Sequence, residues 1–129
     1  MPDGRDGRVV LIVQEEFVVR MDVADAFDKA GFKVLQAGTA EEAITVLKAE
    51  PSIRAVFIDE DLPRIDGVTL AHYVRERWPP TILLLSSRRI PNRALPSNTR
   101  FVLQPYIDGG LESAAQAVSN QIISSIRLA

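Results

Sequence analysis

The sequence predicts an α/β protein built on a doubly wound, five-stranded parallel sheet. Short apolar segments rich in β-branched residues recur along the chain, and segments with helical spacing of apolar residues separate most of them. A strand that is apolar throughout is typical of a sheet covered by helices on both faces. Strands and helices in alternation, in a chain of 129 residues, therefore indicate one compact domain.

The first part of the chain contains two strand signals with a helix between them. Residues 9–13 (VVLIV) predict a buried strand, and residues 33–37 (KVLQA), which are less apolar, predict a strand at a sheet edge. The intervening helix runs from about Glu16 to Ala30, and Gly31 is placed to end it. The inward face of this helix is formed by Val19, Val23, Ala26, Phe27 and Ala30.

A second helix begins at a capping box and leads to the third strand. Thr39 and Glu42 have the spacing at which a hydroxyl and a carboxylate satisfy the free amides of a helix start, and Pro51 limits the helix end. Residues 55–58 (AVFI) predict a buried strand, and a helix over about residues 67–77 follows. The apolar stripes of these two helices contain Ala40, Ala43, Ile44 and Leu47, and then Leu70, Val74 and Trp78.

The last part of the chain interrupts the alternation. Residues 82–85 (ILLL) and 101–103 (FVL) predict the fourth and fifth strands, and a final helix begins near Asp108. Pro91 and Pro96 lie between these two strands and leave little room for a helix. We therefore expect the fourth helix of the alternation to be shortened or missing. The final helix has Leu111, Ala115, Val118, Ile122 and Ile126 at helical spacing.

Composition limits the classes of function. The formal net charge is −2, and a generic nucleic-acid or membrane surface requires a basic excess instead. The chain has no cysteine, which excludes disulfides, thiolate metal sites and thiol nucleophiles. We find no signal peptide or transmembrane segment and expect a cytoplasmic protein. Residues 1–7 predict a flexible tail, and residues 8–129 predict a single domain.

Acidic residues follow the first and third predicted strands. In open α/β sheets, ligands bind beyond the carboxyl ends of the strands, and the first, third and fourth strands are expected at the sheet centre. Glu15, Asp59 and Asp61 are therefore expected to converge. Like charges so close together require a proton or a cation such as Mg²⁺. The alternative is that the segment DEDLPRIDG is only a solvated acidic turn.

The segments VFIDEDLPRIDG, GFKVLQAGTAEEAI and FVLQPY together resemble the receiver domain of two-component response regulators, over about residues 8–128. The resemblance implies the strand order 2-1-3-4-5 and a phosphoryl group accepted by Asp59 from a histidine kinase in the presence of Mg²⁺. It implies metal contacts from Glu15, Asp59 and the backbone carbonyl of Asp61. The remaining positions of the family pattern fall on Gln14 beside the metal acids, Ser86 with neighbouring Ser87 as the hydroxyl, Phe101 as the aromatic switch, and Gln104 in place of the usual lysine.

Two of these positions depart from the family pattern. Gln14 replaces an acid, so we expect Mg²⁺ to bind weakly, and Gln104 cannot supply the positive charge that a lysine gives to the phosphate. A hydrogen bond to a charged group contributes about 1.5–3 kcal/mol, against about 1 kcal/mol for a neutral pair. Arg88 and Arg89 follow the fourth strand and offer a replacement charge, although two solvated arginines are the simpler interpretation.

The function that the sequence predicts is a signalling receiver, not an enzyme, that is phosphorylated on Asp59 and acts through protein contacts. Two alternatives remain open. One is a degenerate receiver that binds a protein independently of phosphorylation, and the other is an enzyme or cofactor binder, such as a flavin protein, of the same flavodoxin-like architecture. For a receiver we expect a sensor histidine kinase or phosphotransfer protein and a downstream protein as partners, with no direct nucleic-acid or membrane contact. The proline-containing loop after the fourth strand predicts an unusual partner surface.

Overall fold

The computed structural model describes residues 7–128, with side chains as far as Ser125. Residues 1–6 of the predicted tail and the side chain of Ile126 lie outside the described part. Among the described residues, no helix is both long enough and apolar enough to cross a membrane. The elements are β1 (Val9–Val13), α1 (Phe17–Lys29), β2 (Lys33–Ala37), α2 (Ala40–Ala49), β3 (Ile53–Asp59), α3 (Gly67–Arg77), β4 (Ile82–Ser87), β5 (Thr99–Leu103) and α4 (Gly110–Leu128).

The five strands form one parallel sheet in the order β2-β1-β3-β4-β5, which confirms the predicted fold. β1 lies between β2 and β3 and pairs with both. The direction in which successive strands are added to the sheet therefore reverses at β1. Val13 pairs with Ile58, and Asp59 pairs with Ser86. The carboxyl ends of the three central strands are therefore side by side, as the strand signals predicted.

Two apolar layers fill the space between the sheet and its helices. One layer joins alternate residues of the sheet to α2 and α3, with Leu47 and Leu70 among its buried side chains. The other joins the opposite face to α1 and α4, and here Phe27 contacts the rings of Phe32 and Phe57 edge to face. Burial on both faces explains why β1 is apolar at every position.

Several strands are longer than their apolar segments predicted. The third strand extends to Asp59, the fourth extends to Ser87, and the fifth begins at Thr99. Polar residues at these ends belong to the sheet because their backbones pair with the neighbouring strand. A prediction from hydrophobicity alone misses them. Asp59 is consequently held on a strand rather than on a loop.

Residues 88–98 connect β4 to β5 without a helix, as Pro91 and Pro96 predicted. This connecting loop is attached to α3. His72 Nε2 lies 2.8 Å from the carbonyl oxygen of Ala94, and the guanidinium of Arg75 donates to the carbonyl of Ser97 at 3.2 Å. Leu95 packs against the core on the same side of the sheet. The loop therefore lies along α3 and does not form a layer over β5.

Candidate functional site

Asp59 is the centre of a polar cluster at the carboxyl edge of the sheet. Its side chain is only 6% exposed. Oδ1 accepts a hydrogen bond from the backbone N–H of Asp61 at 2.7 Å. Oδ2 accepts from the side-chain amides of both Gln14 and Gln104, the latter at 3.1 Å. Neutral N–H groups thus satisfy a buried carboxylate, as its burial requires.

Local packing fixes the position of this carboxylate. Gly67, the first residue of α3, lies so close to the end of β3 that a Cβ atom there would be 2.3 Å from the carbonyl oxygen of Asp59. Its N–H donates to the carbonyl of Glu60 at 2.9 Å. Asp66 caps the same helix by accepting from the N–H of Thr69. Glycine is therefore required where α3 meets the site.

Gln14 is a direct neighbour of Asp59. It is 5% exposed, its amide N–H reaches Asp59, and its Oε1 accepts from the backbone N–H of Glu16 at 3.0 Å. Arg20, one turn into α1, donates to the carbonyl oxygen of Gln14 at 2.7 Å. This role of Arg20 was not predictable from the sequence, because the contact depends on how α1 packs over the end of β1.

A chain of hydrogen bonds continues from Asp59 through Gln104 and Ser86 to Tyr106. The amide of Gln104 donates to Ser86 Oγ at 2.9 Å, and Ser86 Oγ lies 2.6 Å from the Tyr106 hydroxyl. Burial raises the pKa of Tyr106 to about 12, and the negative charge of Asp59 contributes in the same direction. This series of hydrogen bonds therefore joins β3, β4 and the segment before α4, and the side chains that follow Asp59 in it are neutral.

Tyr106 is a functional candidate whose role sequence reasoning missed. Its ring packs just before the last helix, edge to face with Phe57 at 6.2 Å between centroids. Its hydroxyl, however, is bonded to Ser86, which the spacing of the sequence does not show. The sequence signal that could have indicated this role is a tyrosine, whose hydroxyl can form a hydrogen bond, directly after Pro105 near the end of the fifth strand. Phe101 is half-buried on β5 and paired in register with Leu85, and its role as a switch stays a prediction.

Ser87 does not join the Asp59 cluster. Its hydroxyl donates to Glu60 Oε1 at 2.5 Å and accepts from the backbone N–H of Arg89 at 3.3 Å. Glu60 is further tied to the sheet, since its N–H donates to the carbonyl of Ser86. This pair holds the segment after β3 against the start of the connecting loop. Sequence reasoning did not identify Glu60.

A cavity of about 200 Å³ opens in front of Asp59. Glu15 and Asp61 are exposed at this cavity, and Arg88 lines it as well, whereas Arg89 does not. The three acids predicted to converge therefore share one cavity, and Arg88 is the arginine placed to reach it. Its other lining residues are Gln14, Glu16, Val19 and Gln104.

The donor set fits a resident Mg²⁺ poorly. Glu15 and Asp61 carry exposed carboxylates, and the oxygens of Asp59 already accept three N–H groups. Within residues 7–128, no three His, Cys, Asp or Glu side chains are grouped so that they can hold a metal ion. Two amides occupy the space beside Asp59 Oδ2 that a cation requires. The predicted contacts from Glu15, Asp59 and the Asp61 carbonyl stay a prediction.

A five-stranded parallel sheet in this order, with a buried aspartate at its central carboxyl edge, defines a doubly wound domain of the flavodoxin-like class. The family model for the response regulator receiver domain matches residues 10–95. The chain belongs to this family. Receiver domains are regulatory modules of two-component systems and act in signal transduction.

Curated relatives agree with the family. The chain is 26% identical over 102 residues to the sensor protein TorS of Escherichia coli, which covers 79% of this chain and 11% of that protein. It is 35% identical over 80 residues to a protein-glutamate methylesterase/protein-glutamine glutaminase of Archaeoglobus fulgidus, covering 60% of this chain and 22% of the relative. The chain thus spans a small part of the length of these two relatives.

Solved structures share the fold. A response regulator receiver domain protein from Clostridium thermocellum has a TM-score of 0.76 at 14% identity, covering 95% of this chain and 99% of that one. A chemotaxis protein of Vibrio cholerae has a TM-score of 0.74 at 20% identity, covering 86% and 98%. At these identities the likeness establishes the fold alone.

Proposed function

We propose that this chain is a receiver domain that binds a partner protein in a conformation independent of phosphorylation at Asp59. The observation that carries the proposal is the double amide contact: Gln14 and Gln104 both donate to Asp59 Oδ2. Each amide occupies a position where the family pattern has a charged residue. The site is therefore complete in its hydrogen bonds without a phosphoryl group.

The chemistry of phosphoryl transfer supports this proposal. Transfer to a carboxylate depends mainly on positioning and on neutralising the charge of the phosphoryl oxygens. Glutamine donates an N–H and carries no charge. Attack by Asp59 Oδ2, which accepts from both glutamine amides, also requires the loss of at least one of these hydrogen bonds, at a cost of about 1.5–3 kcal/mol for a bond to a charged group. Both effects oppose phosphorylation.

The chain of hydrogen bonds from Gln104 to Tyr106 opposes a switch in the same way. Ser86 Oγ has two partners, Gln104 and Tyr106, and has to leave at least one of them in order to follow a phosphoryl group. A two-state switch needs a ligand that favours the second state. Because the partners of Ser86 are neutral, a phosphoryl group interacts only slightly more favourably with the second state than with the first. The domain stays in one conformation and signals through what it binds.

A second candidate is the phosphorylated receiver, with Asp59 as acceptor and a histidine kinase or phosphotransfer protein as donor. It is favoured by the cavity in front of Asp59 and by Arg88 on its wall, since an arginine grips phosphate oxygens in a bidentate fork. In this case Glu15, Asp59 and the Asp61 carbonyl hold Mg²⁺ weakly, and Arg88 replaces the charge that Gln104 lacks.

A nuclear magnetic resonance titration of backbone amides with Mg²⁺, followed by beryllofluoride as a phosphoryl mimic, separates the two functions. We expect no saturable shifts at Ser86 or Phe101 in the natural chain. The matched control is the double variant Gln14→Glu/Gln104→Lys, which restores the charges of the family pattern and is expected to respond to both additions. Saturable shifts of Ser86 in the natural chain, lost in Arg88→Ala, would establish the second candidate instead.

A further inference from the structure

Among residues 7–128, no other element is bonded to the backbone groups on the outer side of β5. The N–H of Gln104 donates to the carbonyl of Ser87 at 2.8 Å, so this residue faces β4. Successive residues of a strand direct their backbone groups to opposite sides, and Phe101 and Leu103 therefore face away from the sheet. Within residues 7–128, the only strand that pairs with β5 is β4. Two N–H and two C=O groups stand in a row at this edge.

The apolar side chains of the same two residues are incompletely covered. Leu103 is 57% exposed, and Phe101 is half-buried. The connecting loop (residues 88–98) leaves this part of the sheet open because its contacts are with α3, through Ala94 and Ser97. An apolar edge strand without a cover is a template for another strand.

A groove runs beside this edge. Its volume is about 390 Å³, and its walls are β5, the segment of Tyr106 and Ile107, and the first turns of α4 at Gly110 and Ser113. A second cavity of about 530 Å³ lies at the start of β5, and Arg100 lines both. Alternate side chains of an added strand thus have space to enter on the α4 side.

β5 carries a positive charge of its own. Its one charged residue is Arg100, whereas Arg88 lines the cavity at Asp59 and Arg93 pairs with Asp66, the cap of α3. Arg100 is exposed and forms no salt bridge within the described part of the chain. A partner segment with acidic residues complements this surface.

We propose that the outer edge of β5 binds an extended, acidic segment of a partner protein as a sixth strand of the sheet. The inference deepens the proposed protein-binding function and rests on it. Hydrogen bonds to the backbone of Phe101 and Leu103 give affinity that is independent of partner sequence. Arg100 and the groove select acidic residues alternating with apolar ones.

The test uses two peptides of alternating sequence, one of glutamate and valine and one of lysine and valine, with the full chain. We expect saturable amide shifts along β5 with the first peptide only, and hydrogen exchange at Phe101 and Leu103 slowed by about tenfold, as for newly formed backbone hydrogen bonds. Shifts with both peptides alike, shifts elsewhere in the domain, or none at all overturn the proposal.

Three variants separate strand addition from simple contact. Leu103→Pro removes an outward N–H, which an edge strand tolerates, whereas Leu103→Ala keeps it. We expect the proline variant to lose binding and the alanine variant to keep most of it. Equal losses in both variants contradict strand addition. Arg100→Glu leaves the edge intact and is expected to reverse the preference to the lysine peptide, which keeps the proposal testable even if the proline variant unfolds.

Two further readouts keep this inference distinct from the proposed function. If the glutamate peptide does not bind, the surface is wrong, while the beryllofluoride titration still decides the phosphorylation question. If the peptide binds and beryllofluoride changes its affinity, the edge stands and phosphorylation independence fails. Light scattering that shows a dimer of the free chain, lost in Leu103→Pro, assigns the edge to a second copy and overturns an acidic partner.

Discussion

Gln104 contacts Asp59 and Ser86 with one nitrogen: its Nε2 lies 3.1 Å from Asp59 Oδ2 and 2.9 Å from Ser86 Oγ. The acid and the hydroxyl at the ends of two adjacent strands are thus bridged by a neutral amide. In a phosphorylated receiver both groups have to engage the phosphoryl group. Here each already has a hydrogen bond with the amide of Gln104.

We expect Asp59→Asn to destabilise the domain by about 1–3 kcal/mol. The two glutamine amides and the Asp61 N–H all donate, so either orientation of an asparagine amide places a donor against a donor. Urea unfolding at neutral pH gives the free energy, and Asp61→Asn, at an exposed position, is the control with a change below about 0.5 kcal/mol. Stabilisation by Asp59→Asn would show that charge repulsion dominates the site.

Gln14→Glu tests whether a cation can enter. The new carboxylate lies directly against the carboxylate of Asp59, so we expect a loss of about 1–3 kcal/mol without metal. Added Mg²⁺ is expected to recover this loss, since two buried acids form the site that the natural chain lacks. Thermal unfolding with and without Mg²⁺ measures the effect, and the natural chain is the control. A Mg²⁺-dependent rise in the natural chain of equal size contradicts the poor metal fit.

Tyr106→Phe removes the hydroxyl at the end of the hydrogen-bond chain, and we expect a loss of about 1 kcal/mol at neutral pH. Because the pKa of Tyr106 is raised to about 12, the native state keeps this proton longer than the unfolded chain, whose tyrosines have a pKa of about 10. The associated stability is complete below pH of about 10 and is lost as the pH rises toward about 12.

Tyrosinate absorbance as a function of pH checks this directly. The chain has two tyrosines, so Tyr73→Phe leaves the Tyr106 titration alone. In that variant a midpoint near 10 would contradict the burial of the Tyr106 hydroxyl. The difference in unfolding free energy between the natural chain and Tyr106→Phe should narrow across the same pH window.

Gly67→Ala is expected to cost about 1–3 kcal/mol, because its Cβ would meet the backbone at the end of β3. The strain falls on Asp59, so the amide resonances of Asp61 and Gln104 should shift as well. Gly110→Ala is the matched control: it also begins a helix, and a Cβ there has no neighbour within 4 Å. Equal effects of the two substitutions would place the cost in backbone freedom rather than in contact.

Local patterns predicted most of the fold. The bounds of β1 and β2 agree with their apolar segments, and Thr39 caps α2 as predicted, with its hydroxyl accepting from the Glu42 N–H. The absence of a helix between β4 and β5 follows from two prolines. These features depend on neighbours in the sequence, where periodicity and steric limits act directly.

The site was only partly predictable. The position of Asp59 beside the ends of β1 and β4 followed from the order of the strands, but its partners did not. Tyr106 reaches Ser86 across 20 positions and Ser87 reaches Glu60 across 27, and such contacts depend on side-chain direction after the sheet is formed. Gln14 was expected beside the metal acids, whereas it is itself bonded to Asp59.

Gln14 and Gln104 donate to the same oxygen of Asp59, and this determines the order in which charged residues can be restored at the two positions. An acid at position 14 that precedes a lysine at position 104 sets two carboxylates together without a counter-charge, whereas a lysine that comes first is paired with Asp59 at once. A route back to a charged pocket therefore passes through position 104 before position 14. We therefore expect the effects of the two substitutions on stability to be non-additive, because both side chains contact the same oxygen of Asp59.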